Sequence, residues 1–291
     1  MSPLDRWEII MVKISGFIDE IDANFHEQAR VAADIGLKYV EVRSAGGKFV
    51  GLHPQEDIIG FKKNLDEFGL KVSSLASPIG KVAISDPFEA EWERFKRFVE
   101  LAAQFETSNM RVFSFYIPQE KNADTFASEV VERMSRMAEY AKTAGVTLLH
   151  ENEKGIFGDT PERCLLLMNK VNNPAFRLIF DFANFVQCKQ NVMAAYDMIK
   201  NHVAYFHVKD EDATTGESVV AGQGDGDIED ILQLAIAEGY NGFLSLEPHL
   251  VNFAGLASLE IDPHKRTSDM NGEEAFRKAH GALVEILERV G

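Results

Sequence analysis

The chain is 291 residues long, which is enough for one α/β barrel of about 250 residues with extensions or for two small domains. Its 46 acidic and 30 basic residues give a formal net charge of −16. Because nucleic-acid binding needs a basic footprint, this composition argues against a nucleic-acid partner. It leaves room for a small-molecule substrate, even an anionic one, since a small ligand needs only a local pocket.

Cysteine usage and hydropathy indicate a cytoplasmic protein. Cys164 and Cys188 provide no disulfide framework and favour a reducing compartment. No apolar run approaches the ~20 residues of a membrane-spanning helix. The N-terminal segment is charged early and lacks the apolar core of a signal peptide. We therefore predict a cytoplasmic location and no membrane partner.

Eight apolar runs, which predict strands, alternate along the chain with segments that show helical spacing or helix-capping residues. The runs are Met11–Phe17, Lys38–Val42, Leu70–Leu75, Met110–Ser114, Val146–Glu151, Leu178–Asp181, Val203–His207 and Phe243–Glu247. The predicted helices begin near Asn24, Pro54, Pro87, Thr125, Asp159, Val192, Asp227 and Asn271. Asp227 is a predicted N-cap, and the glycine-rich segment before it is predicted to be a turn, since it lacks the Lys-Ser/Thr of a phosphate-binding loop.

This alternation determines the predicted fold class. Near-continuous apolar strands separated by helices are typical of a parallel sheet that helices cover. Eight such units favour closure into a (β/α)8 TIM barrel over an open, doubly wound sheet. No low-complexity linker divides the chain. We predict a single domain over residues 1–291, with a C-terminal helical extension.

Four successive strands each end in a residue that binds cations. These residues are Glu151, Asp181, His207 and Glu247. The C-terminal ends of barrel strands meet at one mouth, where active sites lie. Three carboxylates and one imidazole suit one Mn²⁺ or Mg²⁺ ion per chain, with Co²⁺ or Zn²⁺ as alternatives. A hydrogen-bond network without metal is the competing interpretation.

Such a metal site favours proton-transfer chemistry beside a carbonyl group. A divalent ion that binds a carbonyl and its neighbouring hydroxyl acidifies the adjacent C–H and stabilises the resulting enediolate. Two carboxylates on opposite sides of that carbon can take and return the proton. Glu151 and Glu247 are the candidates for this catalytic pair.

Several motifs at these residues resemble the xylose-isomerase-like TIM barrel superfamily, in its sugar phosphate isomerase/epimerase group. They are His150-Glu-Asn, Asp181-Phe-Ala-Asn-Phe185, His207-Val-Lys-Asp210, the Gly222-Gln-Gly-Asp-Gly loop and Leu246-Glu-Pro-His249. The resemblance implies a divalent metal on Glu151, Asp181, His207 and Glu247, with both glutamates as the acid/base pair. It also implies a carbohydrate substrate and a homo-oligomer.

The chain departs from ketose 3-epimerases of this group at the residues that would bind the sugar. Phe157, Asn184 and Ala213 stand where those enzymes tend to carry Glu, His and Arg. The substrate clamp is therefore expected to differ. The residues predicted to contact substrate are Lys81, Arg111, His53, Asn184, Lys209 and Glu41.

Each of these substrate contacts has a structural alternative. Lys81 is equally a solvated loop charge, and His53 a surface-loop residue. Arg111 would otherwise pair with a barrel carboxylate such as Glu41, and Lys209 with Asp210 or Glu247. Phenylalanines 49, 113, 115, 157 and 185 are further candidates for the pocket wall.

Four functions follow from these patterns. The first is a metal-dependent isomerase or epimerase of a sugar or sugar derivative. The second is a dehydratase that acts on an inosose-like or keto acid substrate, because its first proton abstraction is the same. Phosphodiester cleavage is disfavoured by the acidic charge and the single histidine at the four strand ends. A sugar-binding protein without catalysis is the fourth, since fold alone does not guarantee function.

Overall fold

Eight parallel strands form the centre of the computed structural model, which describes residues 12–254, 256 and 269–291. The strands span Lys13–Gly16 (β1), Tyr39–Val42 (β2), Lys71–Leu75 (β3), Asn109–Val112 (β4), Thr147–Glu151 (β5), Phe176–Asp181 (β6), Val203–Val208 (β7) and Phe243–Leu246 (β8). Each lies within one or two residues of its predicted run, except that the first prediction began at Met11, outside the described residues.

The strand order identifies the fold as a TIM barrel. The neighbours run β1-β8-β7-β6-β5-β4-β3-β2, so every strand lies beside the strands that precede and follow it in the chain. A parallel bridge between Phe17 and Glu41 joins the end of β1 to β2 and brings the two edges of the sheet together. The predicted (β/α)8 barrel is therefore confirmed.

Helices follow the strands and cover the outside of the barrel. They span Phe25–Asp34 (α1), Gln55–Glu67 (α2), Phe88–Gln104 (α3), Ala127–Thr143 (α4), Pro161–Val171 (α5), Phe182–Gln187 (α6), Val192–Ile199 (α7), Ile228–Ala237 (α8) and Gly272–Val290 (α9). Short 3₁₀ turns occupy Ile18–Glu20, Val50–Leu52, Ala123–Phe126 and Lys200–His202. Small hairpins pair Ser44–Ala45 with Lys48–Phe49 and Asp210–Asp212 with Glu217–Val219. The short helix α6 is an element that the periodicity did not indicate.

Asparagine side chains cap two helices that begin near predicted positions, whereas the predicted cap at Asp227 is not formed. Asn24 accepts hydrogen bonds from the backbone of α1, and Asn271 forms a capping box with Glu274 at the start of α9. Asp227 precedes α8 but makes no side-chain cap, because its backbone lies in the left-handed region with φ of 51° instead of the extended conformation that an N-cap needs. The Asp227 cap prediction is therefore wrong.

The interior of the barrel is filled below its C-terminal mouth. Leu149, Ile179 and Tyr205 form a small apolar layer inside the strands, whereas the larger core lies between the strands and the helices. A filled interior closes the barrel from below, so a ligand reaches it only from the mouth. No helix in the described part of the chain is long and apolar enough to cross a membrane.

Candidate metal centre and active site

The four predicted metal ligands converge at the C-terminal mouth. Glu151 and Asp181 end β5 and β6, His207 lies near the end of β7, and Glu247 directly follows β8. One ligand atom from each of the four lies within 4.8 Å of the others, and all four side chains are buried. The parallel register produces this arrangement, since Asp181 pairs with His207 and His207 with Ser245. The ends of adjacent strands therefore deliver their side chains at one level.

Asp181 is held by hydrogen bonds that leave one of its oxygens for a cation. Its Oδ1 accepts a hydrogen bond of 2.8 Å from the backbone N–H of Asn184, which makes Asp181 the N-cap of α6. The Asn152 side chain brackets the Asp181 backbone, accepting from its N–H at 2.9 Å and donating to its carbonyl at 3.0 Å. Only Oδ2 remains, and it faces the cluster.

Two buried carboxylate oxygens at the centre fit a metal ion. Asp181 Oδ2 and Glu247 Oε2 accept no hydrogen bond from the described residues. The Lys209 ammonium lies 3.2 Å from the first and 3.9 Å from the second, without a hydrogen bond to either. A divalent cation would coordinate both oxygens directly. Oxygen ligands with one imidazole nitrogen suit a hard or borderline divalent ion. The residues present therefore fit the metal that the sequence predicted.

Glu41 fixes the orientation of His207 from below. His207 Nδ1 lies 2.9 Å from Glu151 Oε1 and faces the cluster, whereas Nε2 lies 3.2 Å from Glu41 Oε2. The same Glu41 oxygen accepts hydrogen bonds from Tyr205 at 2.9 Å and Ser245 at 2.7 Å. A carboxylate on the far nitrogen is the usual outer partner of a metal-binding histidine. Glu41 was predicted to contact the substrate. In the structure it contacts His207 and is not among the residues that line the cavity.

Each of the two glutamates at the centre is held through one oxygen by an arginine. Arg111 Nη1 donates to Glu151 Oε2 at 3.0 Å, and Arg43 Nη1 donates to Glu247 Oε1 at 2.7 Å. The predicted alternative, in which Arg111 pairs with a barrel carboxylate, agrees with this contact, but the partner is Glu151 of the neighbouring strand and not the example Glu41. Arg43 was missed as a site residue, although its position directly after β2 was a usable signal.

Lys209 and Asn184 occupy the side of the cluster next to Asp181. Lys209 Nζ lies 2.8 Å from Asn184 Oδ1, 3.2 Å from Asp181 Oδ2 and 3.9 Å from Glu247 Oε2. Asn184 Nδ2 in turn donates to the Asn152 carbonyl at 2.9 Å. Of the two predicted salt-bridge partners of Lys209, Glu247 is nearby and Asp210 is not among the described contacts.

Asp210 instead holds the glycine-rich loop. Its carboxylate accepts hydrogen bonds from the backbone N–H groups of Gly222, Gly224 and Gly226, at 2.8, 2.9 and 3.0 Å. The loop therefore surrounds a carboxylate of its own chain. This bonding fastens the loop to the chain that leaves β7 immediately after Lys209.

A polar cavity opens above the cluster. It contains about 340 Å³ of empty space, counting the part open to solvent. Its lining residues are all polar or charged: Arg43, Lys81, Arg111, Glu151, Glu153, Asn184, Gln187, Lys209, Glu247 and His249. Four predicted substrate residues, Lys81, Arg111, Asn184 and Lys209, are therefore brought together here.

Other residues that were predicted to line the cavity are not among its lining residues. His53 lies apart, with Nδ1 3.1 Å from Asp57 and Nε2 3.2 Å from the Ala45 carbonyl. The five phenylalanines are not among the lining residues. Lys81 does reach the rim, where its ammonium donates to Glu153 at 2.8 Å and lies 4.5 Å from the Phe113 ring centroid.

Without a metal, the centre separates the pKa values of its carboxyl groups. Burial by itself would raise the pKa of Glu151, but the positive charges of His207 and Arg111 lower it to about 2. Burial raises the pKa of Asp181 to about 7, against the attraction of the Lys209 ammonium. Glu151 is thus ionised at neutral pH, whereas Asp181 is partly protonated.

His207 is protonated in the metal-free centre. Burial would lower its pKa, but the carboxylates of Glu151 and Glu41 raise it to about 10. The pKa of Glu247 lies well below its usual range despite burial, since Lys209 and His249 favour its ionised form. A cation bound by these residues would therefore displace the added proton of His207 and any proton held by Asp181.

Comparisons with known proteins agree with this geometry. The sequence profile of the xylose isomerase-like TIM barrel family matches residues 29–283. Among curated protein sequences, none matches the chain. A D-allulose 3-epimerase from Methylomonas sp., in complex with D-allulose, superposes with a TM-score of 0.75 at 16% identity, over 96% of this chain and 97% of that one.

Two further solved structures share the fold of this chain. An IOLI protein with a bound zinc atom has a TM-score of 0.75 and 16% identity, over 96% of this chain and 99% of that one. A probable 3-DHS dehydratase, AsbF of Bacillus anthracis, involved in petrobactin synthesis, has a TM-score of 0.70 and 16% identity, over 94% and 98% of the two chains. At these identities the likeness establishes the fold alone.

Proposed function

This chain belongs to the xylose isomerase-like TIM barrel family, and from that premise we propose that it is a divalent-metal-dependent isomerase or epimerase of a sugar or sugar derivative. The observation that carries the proposal is the convergence of Glu151, Asp181, His207 and Glu247 within 4.8 Å beneath a polar cavity. Mn²⁺ or Mg²⁺ is the proposed ion, with Co²⁺ or Zn²⁺ as alternatives.

The four ligand residues would hold one ion at the floor of the cavity. When bound there, a divalent ion would polarise a substrate carbonyl and the neighbouring hydroxyl. This polarisation acidifies the C–H of the carbon that carries the hydroxyl. Glu41 keeps His207 turned with Nδ1 toward the ion. The bonds from Arg111 and Arg43 hold the carboxylates of Glu151 and Glu247 in fixed orientations.

Glu151 and Glu247 are the proposed acid/base pair. Both line the cavity, and both are ionised at neutral pH in the metal-free centre, which is the form that a general base needs. One carboxylate takes the C–H proton, and the electron pair moves into the carbonyl to form an enediolate. For epimerisation, the second carboxyl, protonated from solvent, gives a proton to the other face of the same carbon. For isomerisation, a proton is returned to the former carbonyl carbon while the hydroxyl proton moves to the former carbonyl oxygen, so that the carbonyl group forms at the neighbouring carbon.

The proposal is tested by exchange of carbon-bound hydrogen. The Mn²⁺-loaded protein is incubated in heavy water with a panel of ketoses, aldoses and inososes, and deuterium incorporation is followed by NMR. Wild type should exchange at least one compound, and Glu151→Gln and Glu247→Gln should each slow it by about 10²–10⁴-fold. Glu93→Gln is the matched control, because its side chain is exposed and lies in α3. Full exchange in both cavity variants would refute the mechanism.

A dehydratase acting on an inosose-like or keto acid substrate is the second candidate, and Lys209 is the observation that favours it. Its ammonium lines the cavity and lies 3.2 Å from Asp181 Oδ2. Burial by itself would lower the pKa of Lys209, but the surrounding carboxylates outweigh it and raise that pKa. After a carboxylate removes the C–H proton, the neighbouring C–O bond would break as the C=C bond forms, and Lys209 would protonate the departing hydroxyl to give water. The proton held by the carboxyl then restores the ammonium. A product lighter by one water would identify this reaction.

The proposed compartment and oligomeric state rest on the amino-acid sequence alone. A cytoplasmic location and a homo-oligomer remain predictions, and light scattering of the purified protein tests the second. The proposed partner is a small carbohydrate.

A further inference from the structure

A second group of potential metal ligands lies beside the first and shares Glu247 with it. Glu20, Glu247 and His249 place one ligand atom each within 4.8 Å of one another, and all three side chains are buried. His249 Nε2 lies 3.5 Å from Glu20 Oε1 and 3.4 Å from Glu247 Oε1. By ligand type and spacing alone, this group would hold a second divalent ion bridged by Glu247 to the first.

A positive charge of the chain itself already occupies this position. Arg43 Nη2 donates to Glu20 Oε1 at 3.3 Å, and Arg43 Nη1 donates to Glu247 Oε1 at 2.7 Å. These are the same two oxygens that His249 Nε2 faces. An ion placed among the three ligand atoms would meet the guanidinium group, so the arginine and a second ion exclude each other.

Arg43 is also fixed in place. Its Nε and Nη2 form a two-point bond with the Asp19 carboxylate at 2.9 and 3.0 Å. The rings of Phe17 and Phe253 lie 4.3 and 5.2 Å from its central carbon. With only 1% of its surface exposed, the group cannot withdraw without leaving three buried carboxylates unpaired, which is strongly unfavourable.

We infer that the guanidinium of Arg43 serves as a built-in second cation, which limits this centre to one metal ion per chain and leaves a permanent positive charge in the cavity wall beside that ion. The inference rests on the proposed metal site and deepens it. Arg43 takes Glu247 Oε1 and leaves Oε2 for the first ion. The substrate would thus contact one exchangeable ion and one fixed positive charge. A hydrolytic mechanism that uses two metal ions is excluded, because Arg43 occupies the position of the second ion.

Metal stoichiometry tests this inference without any substrate. The full chain is stripped with chelator and dialysed against excess Co²⁺, and the bound ions are counted by elemental mass spectrometry. Wild type and Arg43→Lys should bind about one ion per chain. Arg43→Gln, which removes the charge, should bind about two. Arg43→Gln combined with Glu20→Gln should return to about one, because a ligand of the second ion is lost.

The number of ions bound per chain distinguishes a failure of this inference from a failure of the proposed metal site. Two ions in wild type, or one in folded Arg43→Gln, would overturn the inference and leave the proposed function standing. No ion in wild type would overturn the metal site itself and the inference with it. If Arg43→Gln folds only with added Co²⁺, the second ion has replaced the lost charge and the inference gains support. Failure to fold even with Co²⁺ would count against it, since the ion would then not replace the arginine.

Discussion

Arg43 Nη1 donates a hydrogen bond of 2.7 Å to Glu247 Oε1, across 204 positions of the chain. The bond joins the end of β2 to the end of β8 and lies over the strand that separates them, β1. Both side chains are nearly inaccessible to solvent, so the pair connects barrel closure directly to the metal centre.

Replacing Arg43 should destabilise the metal-free protein. Arg43→Met leaves Asp19, Glu20 and Glu247 without their shared cation, and breaking a buried ion pair typically costs about 3–5 kcal/mol. We expect this loss in the free energy of unfolding, measured by urea denaturation in the presence of EDTA. Arg30→Met, which breaks an exposed pair with Glu27, should cost at most ~1 kcal/mol. Equal losses in the two variants would contradict the role of the buried network.

Metal affinity should rise with pH. Asp181, with its pKa raised to about 7, and His207, with its pKa raised to about 10, each lose a proton before they can ligate an ion. Binding should release about one to two protons near neutral pH, and the apparent affinity should increase from about pH 6 to about pH 9. Calorimetry with Mn²⁺ in buffers of different ionisation enthalpy measures both quantities. A flat affinity with no proton release would show that the two groups are already deprotonated.

Glu41 should support the metal without touching it. Glu41→Gln weakens the acceptor that orients His207, Tyr205 and Ser245, and losing such an outer partner typically lowers metal affinity about 10–100-fold. Chelator competition measures the change. Glu91→Gln is the control, because Glu91 is also buried but bonds to the Gly80 backbone. Unchanged affinity in Glu41→Gln would remove the support role from this residue.

The glycine-rich loop should tolerate no side chain at Gly224. A Cβ there would lie 2.4 Å from Asp210 Oδ1 and 2.5 Å from the Glu211 carbonyl. Gly224→Ala should therefore cost roughly 1–3 kcal/mol of stability, as overpacking generally does. Gly60→Ala is a matched control within α2, where no atom lies within 4 Å of the new Cβ, and it should stabilise by about 0.5–1 kcal/mol. Denaturant midpoints compare the two, and equal effects would contradict the packing argument.

The amino-acid sequence alone predicted the barrel and the four residues that converge at its mouth, because both follow from the local pattern of apolar runs and of the residues that end them. Apolar runs alternate with helical segments, and a cation-binding residue ends each of four successive runs. Parallel pairing then brings Glu151, Asp181, His207 and Glu247 to one level. No knowledge of distant contacts was needed beyond closure of the sheet.

Only the tertiary structure decided the partners of the long and buried side chains. Arg43 bonds to Glu247, and Glu41 contacts His207, because closure of the barrel brings residues from distant strands within hydrogen-bond distance. His53 contacts Asp57 and the Ala45 carbonyl and is not among the residues that line the cavity, although its position in the chain suggested a substrate contact. Residue type and spacing specify what a side chain can bind, whereas distances across the barrel select which of several equivalent partners it meets.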